Sequence, residues 1–240
     1  MSGALSGTLY GIGVGPGDPE LLTLKAHRLI SGAGAVAYPA RAGADSLARS
    51  IAAAWLKPGV HEIAMEVPME PARGPAQAAY DMGAERIAAT LEGGQDVVVL
   101  CEGDPMFYGS FMYLFARLAD RFEVEIVPGV TSVNASAAAL GLPLVARNEV
   151  LSILPGPMPK ARLRARIRAA DAVAIVKVGR HLAKIREVLD ELQLTDHCTY
   201  IERTTQPAQY SVPLAEAPEV APYFSMILMT KGNDPWLSNR

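Results

Sequence analysis

The stretch "GIGVGPGDPELLTLKA", Gly11 to Ala26, sets four glycines and two prolines within nine residues and then changes to helical spacing. Its first residues, Gly11-x-Gly13, match the start of a dinucleotide-binding turn. That turn needs a third glycine three residues after Gly13, where helix and strand must come close, and Pro16 stands there. A P-loop would end in Gly-Lys-Ser/Thr, whereas Gly17 is followed by Asp18 and Pro19. An aspartate at the mouth of a phosphate site would repel the phosphate. Asp18 instead suits a helix N-cap, with Pro19 in the first helical position and Glu20 in the first turn. The stretch reads as a tight strand-to-helix turn and not as a phosphate cradle.

Outward from this turn, short apolar runs alternate with helical patterns. "TLYGIGV", "GAVAYP", "VHEIAM" and "DVVVLC" read as strands, each ended by Gly, Pro or a charge. Between them, "DPELLTLKAHRLI", "DSLARSIAAAWL" and "PAQAAYDMGAERIAATLE" have helical spacing. After "FEVEIVPG" the order continues as helix "TSVNASAAALG", strand "EVLSIL", helix "KARLRARIRAA", strand "AVAIVKV" and helix "LAKIREVLDEL". Three strand-like runs close the chain: "CTYIER", "AQYSVPL" and "SMILMTKG". This alternation predicts the α/β class with mostly parallel sheet, and the closing run predicts antiparallel pairing in a mixed sheet. The Pro/Gly break in "VPGVTS" puts a boundary near residues 122–130. The expectation is two α/β domains, 1–122 and 130–240, with a small-molecule site in a crevice between them.

The bulk properties agree with such a chain. Its 240 residues are enough to bury a sizeable core, and 50% apolar with 20% charged residues is ordinary for a globular enzyme. A net charge of −3 speaks against broad nucleic-acid binding. "KARLRARIR" has five basic residues in nine, but charges at every second position point around a helix, as on a solvated face. No apolar run is long enough to span a membrane, and "MSGALSGTLYGIG" lacks the parts of a signal peptide, so a cytoplasmic protein is expected. Cys101 and Cys198 stand apart from any metal-ligand spacing and read as buried thiols, with no metal site expected. Met65, Met69, Met106, Met112, Met226 and Met229 read as core fillers.

Two further loops have the same character as the first. "VVVLCEGDPMFYGS" runs from an apolar strand into Glu102, Gly103, Asp104 and Pro105, then the aromatics Phe107 and Tyr108. Ligands of open α/β sheets bind at the carboxyl ends of strands, where this loop sits. Gly103 permits close approach to the main chain, and Asp104 offers an acceptor for hydroxyl or amino groups. In "VPGVTSVNASAAALGLPL", Thr131 and Ser132 stand at a helix start, able to cap it, to touch a ligand, or both.

Taken together in this order, "GxGPGDPELLTLKA", "EGDPMFYGSFMYL" and "VPGVTSVNASAAALGLPL" resemble the three signatures of the tetrapyrrole (class III) S-adenosylmethionine-dependent methyltransferases. The resemblance spans nearly the whole chain. It implies two α/β domains with S-adenosylmethionine bent into the cleft between them. Pro16, Glu102, Gly103, Asp104, Phe107, Thr131 and Ser132 match ligand-contacting positions, and Lys177, Val178, Arg203 and Thr204 fall near the contacts of the second domain. Within the family, "CEGDPMFYGSFMYL" and "AYPARAGADSLA" are most similar to members acting at carbon 20 of precorrin-2 in cobalamin synthesis. The resemblance therefore implies methyl transfer to that meso carbon, and a homodimer. Such a substrate carries many carboxylates, which forked arginines suit. Arg41, Arg147, Arg180 and His181, with Lys177 and Arg203, are the cations expected to follow strands and meet it. No general base is assigned; His27, His61, His181 and His197 qualify by type only.

Overall fold

In the computed structural model, which describes residues 6–40, 43, 45–68 and 73–232, the chain divides into two units, Met1–Thr131 and Ser132–Arg240. The first contains β1 (Leu9–Gly13), α1 (Leu24–Gly32), β2 (Ala35–Ala40), α2 (Leu47–Ala52), β3 (His61–Glu66), α3 (Arg73–Glu92), β4 (Val97–Cys101), α4 (Phe111–Leu118) and β5 (Val124–Val127). Its strands lie in the order β3-β2-β4-β1-β5, and every pairing is parallel. Alternate residues along each strand feed opposite layers, the period-2 rule for a sheet covered on both faces. Ile12, Val36, Val98 and Leu100 join α1 and α2 through Ala26, Ile30, Ala48 and Ile51. Leu9, Ala35, Ala37, Val97, Val99 and Cys101 join α3 and α4 through Ile87, Leu91, Phe111 and Leu114.

The second unit contains α5 (Ser132–Ala139), β6 (Leu151–Pro155), α6 (Lys160–Ala169), β7 (Ala172–Val176), α7 (Leu182–Glu191), β8 (Cys198–Glu202), β9 (Tyr210–Pro213) and β10 (Ser225–Thr230). The strand order is β6-β7-β10-β8-β9. β6 and β7 are parallel, β10 runs antiparallel to β7 and β8, and β9 is antiparallel to β8. The mixed sheet is the one expected from the three closing runs. α6 and α7 cover one face through Leu163, Ile167, Ile185 and Leu189, and Val133 of α5 joins Ala174, Ile201 and Leu228 on the other.

Several local readings need revision. Asp18 caps only a 3-10 turn, Pro19–Leu21, by accepting the Glu20 N–H at 2.8 Å. The chain is extended at Leu22, and α1 starts at Leu24 under its own cap, Thr23, which accepts from the Ala26 N–H. β5 is the edge strand of the first sheet, paired with β1, and lies within the expected boundary at residues 122–130. α4 stands between β4 and β5, where the sequence pattern names no helix. Met106 is 43% exposed and fills no core, whereas Met65, Met226 and Met229 are buried; Met69 lies outside the described residues. On α6, Leu163 and Ile167 are buried. Lys160 meets Glu187 and Glu191 of α7 at 2.8 Å, and Arg164 also pairs with Glu191. Both cysteines are buried and free. Burial raises the pKa of both thiols, that of Cys198 to about 12.

Candidate functional site

β4 and β1 are neighbours whose onward connections leave in opposite directions. From β1 the chain goes to α1 and on to β2, beyond β4; from β4 it goes to α4 and on to β5, beyond β1. The two helices lie on opposite faces. The carboxyl ends of neighbouring strands whose connections part in this way are where doubly wound sheets bind ligands. The loops singled out in the sequence are the loops at this point.

Their main chains touch. A Cβ on Gly13 would lie 2.5 Å from the Gly103 carbonyl oxygen and 2.6 Å from the Gly129 Cα, and one on Gly129 would lie 2.1 Å from that same oxygen. No side chain can be added at either position while the loops stay this close. Gly103 and Gly15 exchange main-chain hydrogen bonds, Gly103 N–H to Gly15 O at 2.8 Å and Gly15 N–H to Gly103 O at 3.3 Å. Gly103 has φ +66. Its own Cβ would meet nothing nearer than the Val130 oxygen at 3.8 Å. The loop therefore presents one open edge beside the β5 turn.

Asp104 closes the cluster. One carboxylate oxygen accepts the Met106 N–H at 2.9 Å and the other the Gly129 N–H at 3.0 Å, tying the β4 loop to the β5 turn. Glu102 is half-buried. Burial raises its carboxyl pKa, against the pull of its own N–H and that of Ala48 in α2. Pro16 is buried and Thr131 half-buried, while Ser132 is exposed at the start of α5. Phe107, 36% exposed, meets Tyr108 edge-to-face at 5.1 Å. Of these residues the sequence reading missed Gly129, although the Pro-Gly pair marked its turn.

Beside this cluster lies a network absent from the sequence reading. Arg49 of α2 donates through two nitrogens to the Glu62 carboxylate, at 3.0 and 2.8 Å, and the Tyr38 hydroxyl donates to it at 2.5 Å. The guanidinium lowers the Glu62 pKa to about 2, with help from the Tyr38 hydrogen bond. The network fixes the carboxyl end of β2, just before Arg41, which lies outside the described residues.

The second unit has its own strand-end group. Lys177 follows β7 with φ +57 and Arg203 follows β8 with φ +50. Left-handed conformations in non-glycine residues cost energy and concentrate at functional sites. Burial lowers the Lys177 pKa. Val178 has no side-chain surface to offer: it is fully buried, its N–H bonds to Ser225 and its carbonyl accepts from His181. Thr204 is also buried, sharing a 2.8 Å hydroxyl hydrogen bond with Ser136 of α5. Arg180 and His181 lie in a 3-10 turn after β7. Burial, followed by Lys184 and Arg180, lowers the His181 pKa. Arg147 departs from expectation. It sits at φ +48 in a turn before β6, not after a strand. Among the described residues no group of three or more His, Cys, Asp or Glu side chains could hold a metal ion, and no helix is long and apolar enough to cross a membrane.

Comparison with known proteins agrees with this geometry. A family profile described as Tetrapyrrole (Corrin/Porphyrin) Methylases matches residues 8–218. The chain is 43% identical over 235 residues to the cobalamin biosynthesis protein CobIJ of Mycobacterium tuberculosis, covering 94% of this chain but 46% of that protein. It therefore spans about half the length of that relative. It is 42% identical to the precorrin-2 C(20)-methyltransferase of a Sinorhizobium species, covering 98% of this chain and 99% of the other. The structure of uroporphyrin-III C-methyltransferase from Thermus thermophilus, complexed with S-adenosylhomocysteine, matches with a TM-score of 0.67 at 26% identity, covering 93% and 97% of the two chains. With three loops meeting at the switch point of a parallel sheet and the profile running through both units, the chain belongs to the tetrapyrrole (corrin/porphyrin) methylases.

Proposed function

We propose that the chain transfers a methyl group from S-adenosylmethionine to carbon 20 of precorrin-2, giving precorrin-3A in cobalamin and wider porphyrin-type biosynthesis. The observation that carries this reading is the meeting of the β1, β4 and β5 loops around Gly103, on a chain that aligns end to end with a relative named for that activity. The residues fit the cofactor. Gly103 offers a main-chain edge into which a side chain would project, and Glu102, with the lone pairs that the Met106 and Gly129 bonds leave over on Asp104, is proposed to accept from hydroxyl and amino groups. Pro16, Phe107, Thr131 and Ser132 complete the proposed contacts of the first unit. Lys177, Val178, Arg203 and Thr204 are the proposed cofactor contacts of the second unit.

S-adenosylmethionine supplies an electrophilic methyl on its sulfonium. The chain's own task is to hold the acceptor carbon in line with that methyl and to exclude water. Arg41, Arg147, Arg180 and His181 are proposed to hold substrate carboxylates. A cytoplasmic homodimer completes the reading. The test is incubation with methyl-13C S-adenosylmethionine and precorrin-2. One new enriched methyl, coupled to the meso carbon, is expected. Enrichment at a pyrrole-ring carbon would move the chain to a different step, and no enrichment with tetrapyrrole still bound would make it a carrier.

A further inference from the structure

We infer that Tyr200 and Glu202 form a buried anchor that positions Arg203 as a fork for a ligand carboxylate; the identity of that ligand, though not the anchor itself, rests on the methyltransferase reading. Tyr200 and Glu202 are two apart on β8 and so share a face. Tyr200 is fully buried and Glu202 is 8% exposed. The Tyr200 hydroxyl donates to one Glu202 oxygen at 2.5 Å, and an Arg203 nitrogen donates to the other at 3.3 Å. The Arg203 main chain is held as well. Its N–H bonds to the Phe224 oxygen and its carbonyl accepts from the Gln206 N–H, both at 2.9 Å, with the residue itself at φ +50.

The guanidinium nevertheless faces outward, with the side chain 45% exposed. Among the described residues its remaining donors bond to nothing. A surface arginine needs none of this restraint for stability, since a buried carboxylate could be replaced by an apolar residue at little or no loss. A buried acid and a left-handed backbone spent on one solvent-facing fork fit a binding role better. The planar, forked donor matches a carboxylate. Across β10, whose residues Ser225 and Met226 pair with Glu202 and Val176, Lys177 ends the neighbouring strand and adds a second cation. Two carboxylates meet the description: that of the amino-acid part of S-adenosylmethionine, and the acidic side chains of a tetrapyrrole.

The test compares Arg203→Gln, Arg203→Lys and Tyr200→Phe with the wild type in the full chain, with thermal midpoints measured alongside. The probes are S-adenosylhomocysteine and 5′-methylthioadenosine by calorimetry, and uroporphyrin III, an octacarboxylate, by fluorescence quenching. Losing a charged hydrogen bond to ligand should weaken one carboxylate probe about tenfold in Arg203→Gln. Tyr200→Phe, which leaves the arginine in place but loosens its anchor, should weaken the same probe about threefold, and Arg203→Lys should restore only part of the affinity. Weakened S-adenosylhomocysteine with methylthioadenosine unchanged assigns the fork to the cofactor's carboxylate. Weakened uroporphyrin with S-adenosylhomocysteine unchanged assigns it to the macrocycle. Folded variants that bind every probe as the wild type does overturn the anchor alone. A wild type that binds neither S-adenosylhomocysteine nor uroporphyrin overturns the methyltransferase reading with it.

Discussion

Replacing Asp104 by alanine removes one acceptor that folds the β4 loop on itself and one that joins it to the β5 turn. The two bonds, 2.9 Å to the Met106 N–H and 3.0 Å to the Gly129 N–H, are made by one carboxylate. A hydrogen bond to a charged group contributes roughly 1.5–3 kcal/mol. The Gly129 bond is part-buried and the Met106 bond exposed, so we take about 1.5 kcal/mol for the first and about 0.5–1 kcal/mol for the second, and expect a loss of about 2–2.5 kcal/mol. With a urea slope of about 2–3 kcal/mol per molar, the unfolding midpoint should fall by about 1 M. In a Trp236→Phe background the remaining tryptophan, Trp55, packs edge-to-face on His27 at 4.5 Å and reports the first unit by fluorescence. Asp104→Asn keeps one carbonyl acceptor and should fall between alanine and wild type. S-adenosylhomocysteine affinity should drop with the midpoint, since the loops that would hold it are no longer tied. A midpoint within about 0.2 M of wild type in the alanine variant would show that the clamp contributes nothing, and the reasoning would be wrong.

Other perturbations probe separate parts of the molecule. Gly103→Ala puts a Cβ at φ +66, costing about 1–2 kcal/mol of stability, and fills the open edge of the loop; calorimetry should show S-adenosylhomocysteine binding lost in a folded protein, and unchanged affinity would remove Gly103 from the site. Glu62→Gln breaks the pairing with Arg49 and Tyr38. A carboxyl drawn from 4.5 to about 2 represents at most about 3 kcal/mol, and screening at an Arg49 side chain 41% exposed reduces this to about 1–2 kcal/mol. Because the folded pKa is the lower one, that stability is present above the unfolded value and is lost as pH falls from 4.5 toward 2. The midpoint gap between variant and wild type should therefore close over that window, and a gap constant with pH would refute the assignment. Sedimentation should give a dimer of the 25.5 kDa chain, with a monomer at micromolar concentration as the contrary result.

The fold was legible because the strands at the heart of each sheet, β4 and β7, are apolar on two faces. Val97 to Cys101 has no polar residue and could only be a central strand. α4 was as legible in principle: Phe111, Leu114 and Leu118 are buried at helical spacing. In the sequence it is masked by Gly109 and by the clustered aromatics of "MFYGSFMYL", which leave no polar face to mark an amphipathic helix. The break at Leu22 was less accessible, since Asp18 and Thr23 are both good caps and only the folded chain shows that each starts its own turn.

The site divides along a similar line. Glycines at strand ends advertise themselves, because few other roles explain so many in one turn, and Gly103 stands out in that way. Pairings across the chain do not. Asp104 reads as a ligand acceptor from its type, and in the fold each of its oxygens also holds a loop N–H, one of them from Gly129, 25 residues on. Thr204 likewise shares its hydroxyl with Ser136, 68 residues away, a bond that residue type does not announce. Residue type says which atoms a side chain can offer, and only the fold says which of them are already taken. Arg203 shows the converse: its type suggested carboxylate binding, but the buried Tyr200 and Glu202 that hold it read from sequence as ordinary members of a strand. Strand-end residues with left-handed backbones are therefore the better guide to where this chain meets its ligands, and at Lys177 and Arg203 of the second unit the residue-type reading and the backbone agree.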